Sequence, residues 1–580
     1  METVGDCYVA VAGCPDPMKN HAIAMSRFAF ECIRVMDTLT KRLEVTLGPD
    51  TGDLNVRIGL HSGPVTAGVL RGDRARFQLF GDTMNTAARM ESNGERGRIH
   101  ISHDTAELLV ASGKEHWLVQ RSDTVYAKGK GALKTYWLVE ERKSSETASS
   151  QGDTHPSYLT QTPIRTTPNL ISGDNGLDSM GAKTERLITW NVDVLLRLLK
   201  AVVARRVARG EGNARVSPEV EGTIGINSGS VLSEVKEIIS LPKFDPIAET
   251  KEPDPEKINI NASVKDELHK FISSIASMYR SHPFHNFEHA SHVTMSVVKL
   301  LSRIVAPKDE IDGKNLASSL HDHTYGITSD PLTQFACVLS ALIHDADHPG
   351  VPNSQLVTEK NQLATFYQNK SIAEQNSVDL AWNLLMDKSF ANLRGCIYGT
   401  VDELKRFRQL LVNSVMATDI VDKELKALRN ARWERAFTES PLCSTDTPRD
   451  TINRKATIVI EHLIQASDVA HTMQHWHIYR KWNERFFYEC YNAYQAGRAA
   501  SNPIENWYKG ELGFFDFYII PLAKKLTDCG VFGVSSDEYL NYALKNRQEW
   551  EMRGQEIVAS MIANIEAQQP KAAPDHTHEV

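Results

Sequence analysis

The chain has 580 residues, and its 41% hydrophobic and 24% charged content is typical of a globular protein with several folding units. The 73 acidic residues outnumber the 65 basic ones, so a net charge of -8 argues against nucleic acid as a partner. We find no apolar run of the roughly 18 residues that a spanning helix needs, and no leader after Met1, so we expect a cytoplasmic protein. The eight cysteines form no C-x-x-C pair, which favours free thiols.

Residues 1–140 alternate strand-like and helical runs, which indicates an α+β fold. Strands are predicted at 7–13, 54–63, 98–102 and 136–140, and helices at about 19–47 and 82–93. The segment 141–182 is rich in Ser, Thr, Pro and Gly, and we predict a flexible linker there.

Residues 183–210 are predicted to form an amphipathic helix. Its apolar residues follow a 4,3,4,3 spacing that makes one seam, at Ile188, Val192, Leu195, Leu199 and Val202. Three interpretations stay open: packing on its own domain, a short dimeric coiled coil, or contact of the Arg205–Arg206 end with acidic lipid. Residues 211–254 are predicted to be a second linker, with a short helix at VLSEVKEIIS (231–240).

From 255 to 570 almost every segment has helical periodicity, which predicts an all-α domain, and residues 571–580 are predicted to be a disordered tail. Histidines and aspartates cluster in four short texts of this domain: HPFHNFEHASHV (282–293), ALIHDADHPG (341–350), ATDI (417–420) and QASDVAH (465–471).

The spacing within these texts is that of metal ligands. His285 and His289 are four residues apart, which predicts that both lie on one helical face. The adjacent His344 and Asp345 can point a nitrogen and an oxygen into one cavity, and Asp468 adds a carboxylate. Two imidazoles and two carboxylates leave coordination positions open, as in a catalytic metal site.

Over residues 255–570 the sequence closely resembles the class I, HD-type cyclic-nucleotide phosphodiesterases. The family's H-N-x-x-H-A-x-x-V text stands at 285–293 and its H-D-x-D-H-P-G text at 344–350. The resemblance implies hydrolysis of 3′,5′-cyclic nucleotides to 5′-monophosphates with two divalent cations, Zn²⁺ and either Mg²⁺ or Mn²⁺. By position, the implied ligands of the zinc-like ion are His289, His344, Asp345 and Asp468, and Asp345 also bridges to the second ion. The resemblance further implies His285 as the proton donor and His348, Glu374 and Asp419 as supporting groups.

The base pocket departs from this family at Glu511, where Gln usually precedes a Gly-Phe pair. An ionised Glu511 can only accept hydrogen bonds, which fits the two adjacent donors of guanine and conflicts with the N1 acceptor of adenine. The departure therefore predicts a preference for cGMP. Phe514 and Phe486 match the pair that sandwiches the purine. The alternatives are that Glu511 faces solvent or that cAMP is preferred.

Residues 1–140 resemble the class III nucleotide cyclases. The similar texts are ETVGDCYVAVAG (2–13), RIGLHSGPVTAGVL (57–70), FQLFGDTMNTAARMES (77–92) and AKGKGALKTYWL (127–138). The resemblance implies a ferredoxin-like α+β fold, GTP as a ligand, and Mg²⁺ or Mn²⁺ at a cyclase-like site. The residues of that site are Glu2, Asp6, Asn85, Arg89 and Lys128. Because the family's first strand and its second metal aspartate would precede Met1, we expect a partial domain with little cyclase activity. The alternative is a non-catalytic module for nucleotide binding or dimerisation.

Together these patterns predict a multidomain signalling enzyme: a partial guanylyl-cyclase-type domain, a linker with an amphipathic helix, and a C-terminal phosphodiesterase domain. We expect a homodimer with cGMP or cAMP as its ligand. Membrane association is expected only if a receptor region precedes this chain. The rival interpretation is a signalling scaffold whose hydrolase domain acts only as a sensor.

Overall fold

The computed structural model divides into two compact units, Met1–Asp174 and Asn175–Val580, each of which is described by itself. The described residues are 2–4, 7–47, 51, 54–70, 76–121, 125–127, 131–139, 176–212, 214–225, 230–304, 316–438 and 447–568. The predicted linker at 141–182 lies outside them up to residue 175, and so does the tail at 571–580. Residues 176–182 are helical, so the linker bound at 182 and the helix start at 183 are wrong.

The first unit contains a four-stranded sheet in the order β3-β6-β10-β7. Strand β3 is parallel to β6, and β10 is antiparallel to both of its neighbours. The other strands form the antiparallel pairs β1-β2, β4-β5 and β8-β9. The strand bounds are β1 Glu2–Val4, β2 Cys7–Val9, β3 Ile58–Leu60, β4 Thr66–Leu70, β5 Arg76–Phe80, β6 Ile99–Ser102, β7 Leu118–Gln120, β8 Val125–Ala127, β9 Gly131–Leu133 and β10 Thr135–Leu138.

The helices of this unit are α1 (His21–Leu47), α2 (Asp82–Ser92) and α3 (His103–Ala111). Helix α2 lies so close to β3 that a Cβ at Gly59 would be 2.1 Å from the backbone nitrogen of Glu91, so this contact requires glycine. Helix α3 was not predicted from the sequence; Ser102 is its N-cap, and the Ser102 side chain accepts a hydrogen bond from the Thr105 backbone N–H. The predicted α+β character is confirmed, although the strands are shorter than expected.

The second unit is helical, which confirms the predicted fold class. Its helices are α4 Gly176–Ala208, α5 Pro218–Glu221, α6 Pro246–Lys251, α7 Ala262–Met278, α8 Phe287–Ser302, α9 Leu316–His323, α10 Pro331–Ile343, α11 Asn353–Thr358, α12 Gln362–Phe366, α13 Ile372–Met386, α14 Ala391–Ile397, α15 Val401–Met416, α16 Lys423–Trp433, α17 Pro448–Asp468, α18 Trp476–Gln495, α19 Pro503–Phe514, α20 Ile520–Asp528 and α21 Val534–Gln568. Among the described residues, none of these helices combines the length and apolar character needed to cross a bilayer.

Helix α10 is the centre of the helical unit and packs against α4, α8, α15 and α17. Every residue of α10 except Gln334 is buried. A helix that is apolar on all sides belongs in the interior, and PLTQFACVLSALI has that character. The C-terminal end of this rigid helix leads directly to His344.

Helix α4 is part of the same core. Ile188, Leu195, Leu199 and Val202 are buried in the cluster that includes α7, α8 and α10. The basic C-terminal end of α4 also has partners in the same unit. Arg205 pairs with Glu249 and Glu252, and Arg206 donates to backbone carbonyls at the end of α14. The interpretations of this seam as a coiled coil or a lipid contact are therefore wrong, because the apolar face and both arginines already have intramolecular partners.

The segment 211–254 also differs from its prediction. The expected helix at 231–240 is reduced to a 3-10 turn at Val231–Glu234. Beyond it, the backbone N–H groups of Lys236, Ile239 and Leu241 donate to side chains of α15 and α17 at 3.0, 2.9 and 3.2 Å. Because those side chains satisfy the backbone, an extended conformation replaces the predicted helix.

Candidate active site

The first histidine text forms a loop followed by the start of α8. Asn286 is extended and caps the helix: its side-chain oxygen accepts the His289 N–H at 3.0 Å, and its amide donates to the His282 carbonyl at 2.8 Å. His289 therefore lies in the first turn of α8, whereas His285 lies in the preceding loop. The prediction that both share one helical face is wrong, because the cap at Asn286 starts the helix between them.

The second text forms the turn that follows α10. His344 follows the last residue of α10 as its C-cap, and Asp347 has a positive φ of 62° that turns the chain back. Gly350 also has a positive φ, and a Cβ there would lie 2.8 Å from the imidazole of His282. The turn is thus packed directly against the His285 loop, and glycine is required at that contact.

The third segment of the site is α17, which begins after a capping box formed by Thr447 and Asp450 and ends at Asp468. Helices α8, α10 and α17 pack against one another. Each of these helices thus presents one terminus to the same place.

At this place four donor groups converge within 4.8 Å of one another: His289, His344, Asp345 and Asp468. The His344 Nε2 atom is 3.0 Å from Asp345 Oδ2 and 3.3 Å from Asp468 Oδ1. The His289 Nε2 atom is 3.1 Å from Asp468 Oδ1 and 3.7 Å from Asp345 Oδ2. Separations of this size are those between neighbouring ligands around one cation.

The hydrogen bonding of His344 tests whether a cation fits here. Its Nδ1 lies 2.9 Å from the Ala341 carbonyl, which can only accept, so Nδ1 carries the proton. The buried Nε2 has no hydrogen-bond partner and faces two carboxylates. Burial lowers the pKa of His344, but Asp345 and Asp468 outweigh burial and hold this pKa well above its usual value. The raised pKa corresponds to a proton on Nε2. A cation that binds the Nε2 lone pair would take the place of this proton, so the residues fit a metal.

Beside this cluster lies a second group, formed by His285, His348 and Glu489. Glu489 accepts the His285 Nδ1–H with one oxygen and the backbone N–H groups of Phe284 and His285 with the other, at 2.8 and 3.0 Å. Burial lowers the pKa of His285, but Glu489 outweighs burial and raises this pKa above its usual value. The His348 ring stacks on His285 at 3.8 Å, and burial together with the charge of His285 lowers the pKa of His348 to about 3. The arrangement holds a proton on His285 and leaves His348 neutral.

Glu489 was not among the residues predicted from the sequence. It is a single acid in the aromatic run FFYEC of α18, and it is buried. Its position would have been accessible from helical spacing, since Trp482, Phe486 and Glu489 follow an i, i+4, i+7 pattern on one face. An acid on the same helical face as a predicted purine contact was the available signal.

The remaining predicted groups lie near α13. Glu374 accepts from Asn353 at 2.9 Å, and burial together with the nearby charge of Asp419 raises its pKa to about 8. Asp419 is buried and accepts from the Ser371 hydroxyl at 2.7 Å and from the backbone N–H groups of residues 421 and 422 at 3.0 Å. Glu374 is half-buried, and the charges of Asp419 and Asp345 both contribute to its raised pKa.

Glu511 is buried on α19 and faces α18. It accepts from the Tyr479 hydroxyl at 2.8 Å, and Asn483 of α18 also favours its ionised form. The alternative that Glu511 faces solvent is therefore wrong, since only 9% of its surface is exposed. Phe486 lies on α18, with its ring 6.1 Å from that of His285, and the ring of Phe514 stacks on Tyr518 at 5.4 Å.

The predicted cyclase-like residues are only partly described. Asn85 and Arg89 lie one turn apart on α2, with Asn85 exposed and Arg89 half-buried. Asp6 and Lys128, together with the side chain of Glu2, lie outside the described part of the chain.

Two protein-family models match separate parts of the chain. Residues 1–140 match the model described as "Adenylate and Guanylate cyclase catalytic domain", and residues 284–531 match "3'5'-cyclic nucleotide phosphodiesterase". The chain thus joins a cyclase-type catalytic domain to a C-terminal cyclic-nucleotide phosphodiesterase domain, as the sequence motifs predicted.

Several curated proteins match about a quarter of this chain. "Guanylate cyclase soluble subunit beta-2" of Rattus norvegicus is 38% identical over 147 residues, which is 25% of this chain and 20% of that protein. "Atrial natriuretic peptide receptor 2" of Homo sapiens is 42% identical over 144 residues, 25% of this chain and 13% of the receptor. The chain therefore spans a fifth or less of these relatives.

Among solved structures, the chain is similar to the phosphodiesterase domain of the RhoPDE fusion protein of the choanoflagellate Salpingoeca rosetta. The match covers 53% of this chain and 87% of that one, with 21% identity and a TM-score of 0.40.

Proposed function

We propose that the helical unit hydrolyses 3′,5′-cyclic nucleotides to 5′-monophosphates and prefers cGMP. The observation that carries this proposal is the convergence of four metal-type donors beside the His285–Glu489 pair. A cation site next to a held proton is what phosphodiester hydrolysis requires, since one group must activate water and another must protonate the leaving oxygen.

Bound divalent cations would supply an activated water and offset the charge on the phosphoryl oxygens. His285 has its Nδ1 committed to Glu489, so its Nε2–H is the proton available for the substrate. As the bond between phosphorus and the 3′ oxygen breaks, this proton passes to the departing oxygen. Glu489 stabilises the charged imidazole before transfer and fixes its direction through the backbone of residues 284 and 285.

Glu511 supplies the preference for guanine in this proposal. It is fixed at the end of α19 by donors from α18, and the aromatic residues Phe486 and Phe514 lie on the same two helices. A carboxylate there can accept both the N1–H and the 2-amino group of guanine, whereas adenine presents a lone pair at N1.

Replacing Glu511 by Gln tests the preference. We expect the wild type to favour cGMP over cAMP by about tenfold to a hundredfold in kcat/KM, the range of a good bidentate base contact. Glu511→Gln should bring the ratio close to one and leave the metal content unchanged. Glu505→Gln is the matched control, because Glu505 is an exposed residue at the start of the same helix. An unchanged ratio in Glu511→Gln, or a wild-type preference for cAMP, would contradict the assignment.

The preference for cGMP should also depend on pH. Burial raises the pKa of Glu511 to about 7, against the opposing effect of hydrogen bonds from Tyr479 and Asn483. Above this pKa the group is a carboxylate that only accepts, and below it the carboxylic acid donates one O–H. The cGMP/cAMP ratio of kcat/KM should therefore rise about tenfold from pH 6 to pH 8, as the ionised fraction rises.

A pH series of both nucleotides measures this effect, because effects on shared catalytic groups cancel in the ratio. The other titratable groups that face Glu511 are Tyr479 and Cys490, and burial is the main cause that raises the pKa of both, to about 12 for Cys490. Neither titrates between pH 6 and 8. Glu511→Gln should give a flat ratio, and a wild type as flat as this variant would refute the prediction.

A further inference from the structure

A carboxylate beside the cluster of metal-type donors pairs with cations from two other helices. Glu288 lies in the first turn of α8, directly before His289, and only 14% of its side chain is exposed. Its Oε1 atom lies 2.9 Å from Lys183 Nζ on α4 and 3.1 Å from Arg485 Nη1 on α18. A third cation, Lys481 of α18, lies 3.8 Å away. Burial raises the pKa of Glu288, but Arg485 and Lys183 outweigh burial and hold this pKa below its usual value. The carboxylate therefore stays charged.

Arg485 belongs to the helix that holds the proposed proton donor. It precedes Glu489 by one helical turn, so both side chains project from the same face of α18. Glu489 accepts the His285 Nδ1–H and the backbone N–H of Phe284, which lie in the loop before α8. Arg485 pairs with Glu288 in the first turn of α8 itself. Helix α18 is thus attached to this segment at two points, one helical turn apart.

The Arg485 guanidinium is also held on its other side. Its central carbon lies 4.7 Å from the centre of the Trp482 ring, which is a cation–π contact. Trp482 is only 1% exposed, and its ring packs edge-on against the ring of His289 at 5.6 Å. A guanidinium that rests on a buried ring has less freedom than the flexible cations of an open surface. The ion pair of Glu288 and Arg485 therefore has a fixed geometry.

We propose that Glu288 and Arg485 are positioning residues for proton transfer: their ion pair fixes α18 against α8 and so holds Glu489, and through it the His285 imidazole, toward the departing 3′ oxygen. The inference rests on the proposed role of His285 as the general acid. A helix attached at one point can pivot about that point, whereas a second attachment one turn away prevents the pivoting. A small displacement of the acid slows the reaction, because proton transfer requires hydrogen-bond distance to the leaving oxygen.

The test compares a substrate that needs the acid with one that does not. Arg485→Gln and Glu288→Gln should each lower kcat for cGMP about threefold to tenfold. Metal content and the hydrolysis of bis(4-nitrophenyl) phosphate should stay within about twofold of the wild type, because nitrophenolate leaves without a proton. Lys183→Gln is the matched control. It removes the other close cation from the same carboxylate, but the four donors and the His285–Glu489 pair all lie outside α4, so both substrates should react within about twofold of the wild-type rate.

A double-mutant cycle shows whether the ion pair acts through the acid. In the Glu489→Gln background, Arg485→Gln should lower kcat for cGMP less than about twofold further, because the contact that it positions is already weakened. If His285→Gln slows only cGMP and the Glu288 and Arg485 variants slow neither substrate, the positioning role is overturned and the general acid stands. If His285→Gln slows both substrates equally, both are overturned. Equal effects of Lys183→Gln and Arg485→Gln, or an equal loss on both substrates in Arg485→Gln, would also overturn the proposal, because they would show a general loosening of α8.

Discussion

Asp345→Asn is expected to reduce cyclic-nucleotide hydrolysis by on the order of 10³-fold or more and to lower the metal content of the purified protein. The change keeps the size of the side chain but removes the charge that faces His344 at 3.0 Å and His289 at 3.7 Å. Two buried imidazoles with one remaining carboxylate, Asp468, form a weaker cation site. Elemental analysis, circular dichroism and kcat/KM for cGMP measure the three quantities that matter: metal, fold and activity.

Asp347→Asn is the matched control for this prediction. Asp347 lies two residues further along the same turn, but its carboxylate pairs with Arg280 at 2.7 Å and accepts from Asn376 at 3.2 Å. It is not one of the four clustered donors. The control variant should keep its metal and most of its activity. Full activity of Asp345→Asn after dialysis against a chelator would show that hydrolysis does not depend on the clustered donors.

The motifs in the sequence predicted the chemistry of the site better than its geometry. Spacing alone indicated which residue types could hold a cation, but it could not show that the ends of α8, α10 and α17 meet. That meeting results from the packing of three helices that are distant in sequence. Spacing also could not show where the helix begins. The four-residue interval between His285 and His289 suggests that both lie on a helix, but Asn286 caps α8 between them.

Periodicity likewise predicted that one face of α4 is buried but not what covers it. A seam of apolar residues is equally compatible with a partner helix, a membrane surface or the protein's own core. The structure shows the last of these, with Leu195 and Leu199 fully buried in the helical unit. Lys183 near the start of α4 pairs with Glu288 at 2.9 Å, so the helix also contacts the residue that precedes the metal-type donor His289. An amphipathic pattern beside a predicted linker is thus weak evidence for a linker helix.

Prediction from the sequence was limited in a different way for Glu489 and Glu511. Both are acids in apolar surroundings, and the sequence cannot show whether such an acid is buried with partners or exposed. Glu511 was singled out because it replaces a family residue, whereas Glu489 carried no such contrast. Its function depends on the approach of α18 to the His285 loop, which only the tertiary structure supplies.

His285→Gln is expected to lower kcat for cGMP by about 10²–10⁴-fold without loss of metal, because an amide cannot serve as a general acid. His285 is not one of the four clustered donors, and its Nδ1 is held by Glu489. Glu489→Gln should have a smaller effect in the same direction, since it leaves the imidazole in place but removes the charge that raises its pKa. His282→Gln, the same change three residues earlier in the loop, is the control and should remain active.

The choice of substrate makes the test of His285 specific to proton donation. Bis(4-nitrophenyl) phosphate releases a nitrophenolate that needs no protonation, so a variant that lacks only the acid should hydrolyse it nearly as fast as the wild type. Loss of metal-dependent function would instead slow both substrates equally. If His285→Gln loses its metal, or loses activity on bis(4-nitrophenyl) phosphate as severely as on cGMP, then His285 binds or positions the cations. In that case the proton for the 3′ oxygen must come from another group.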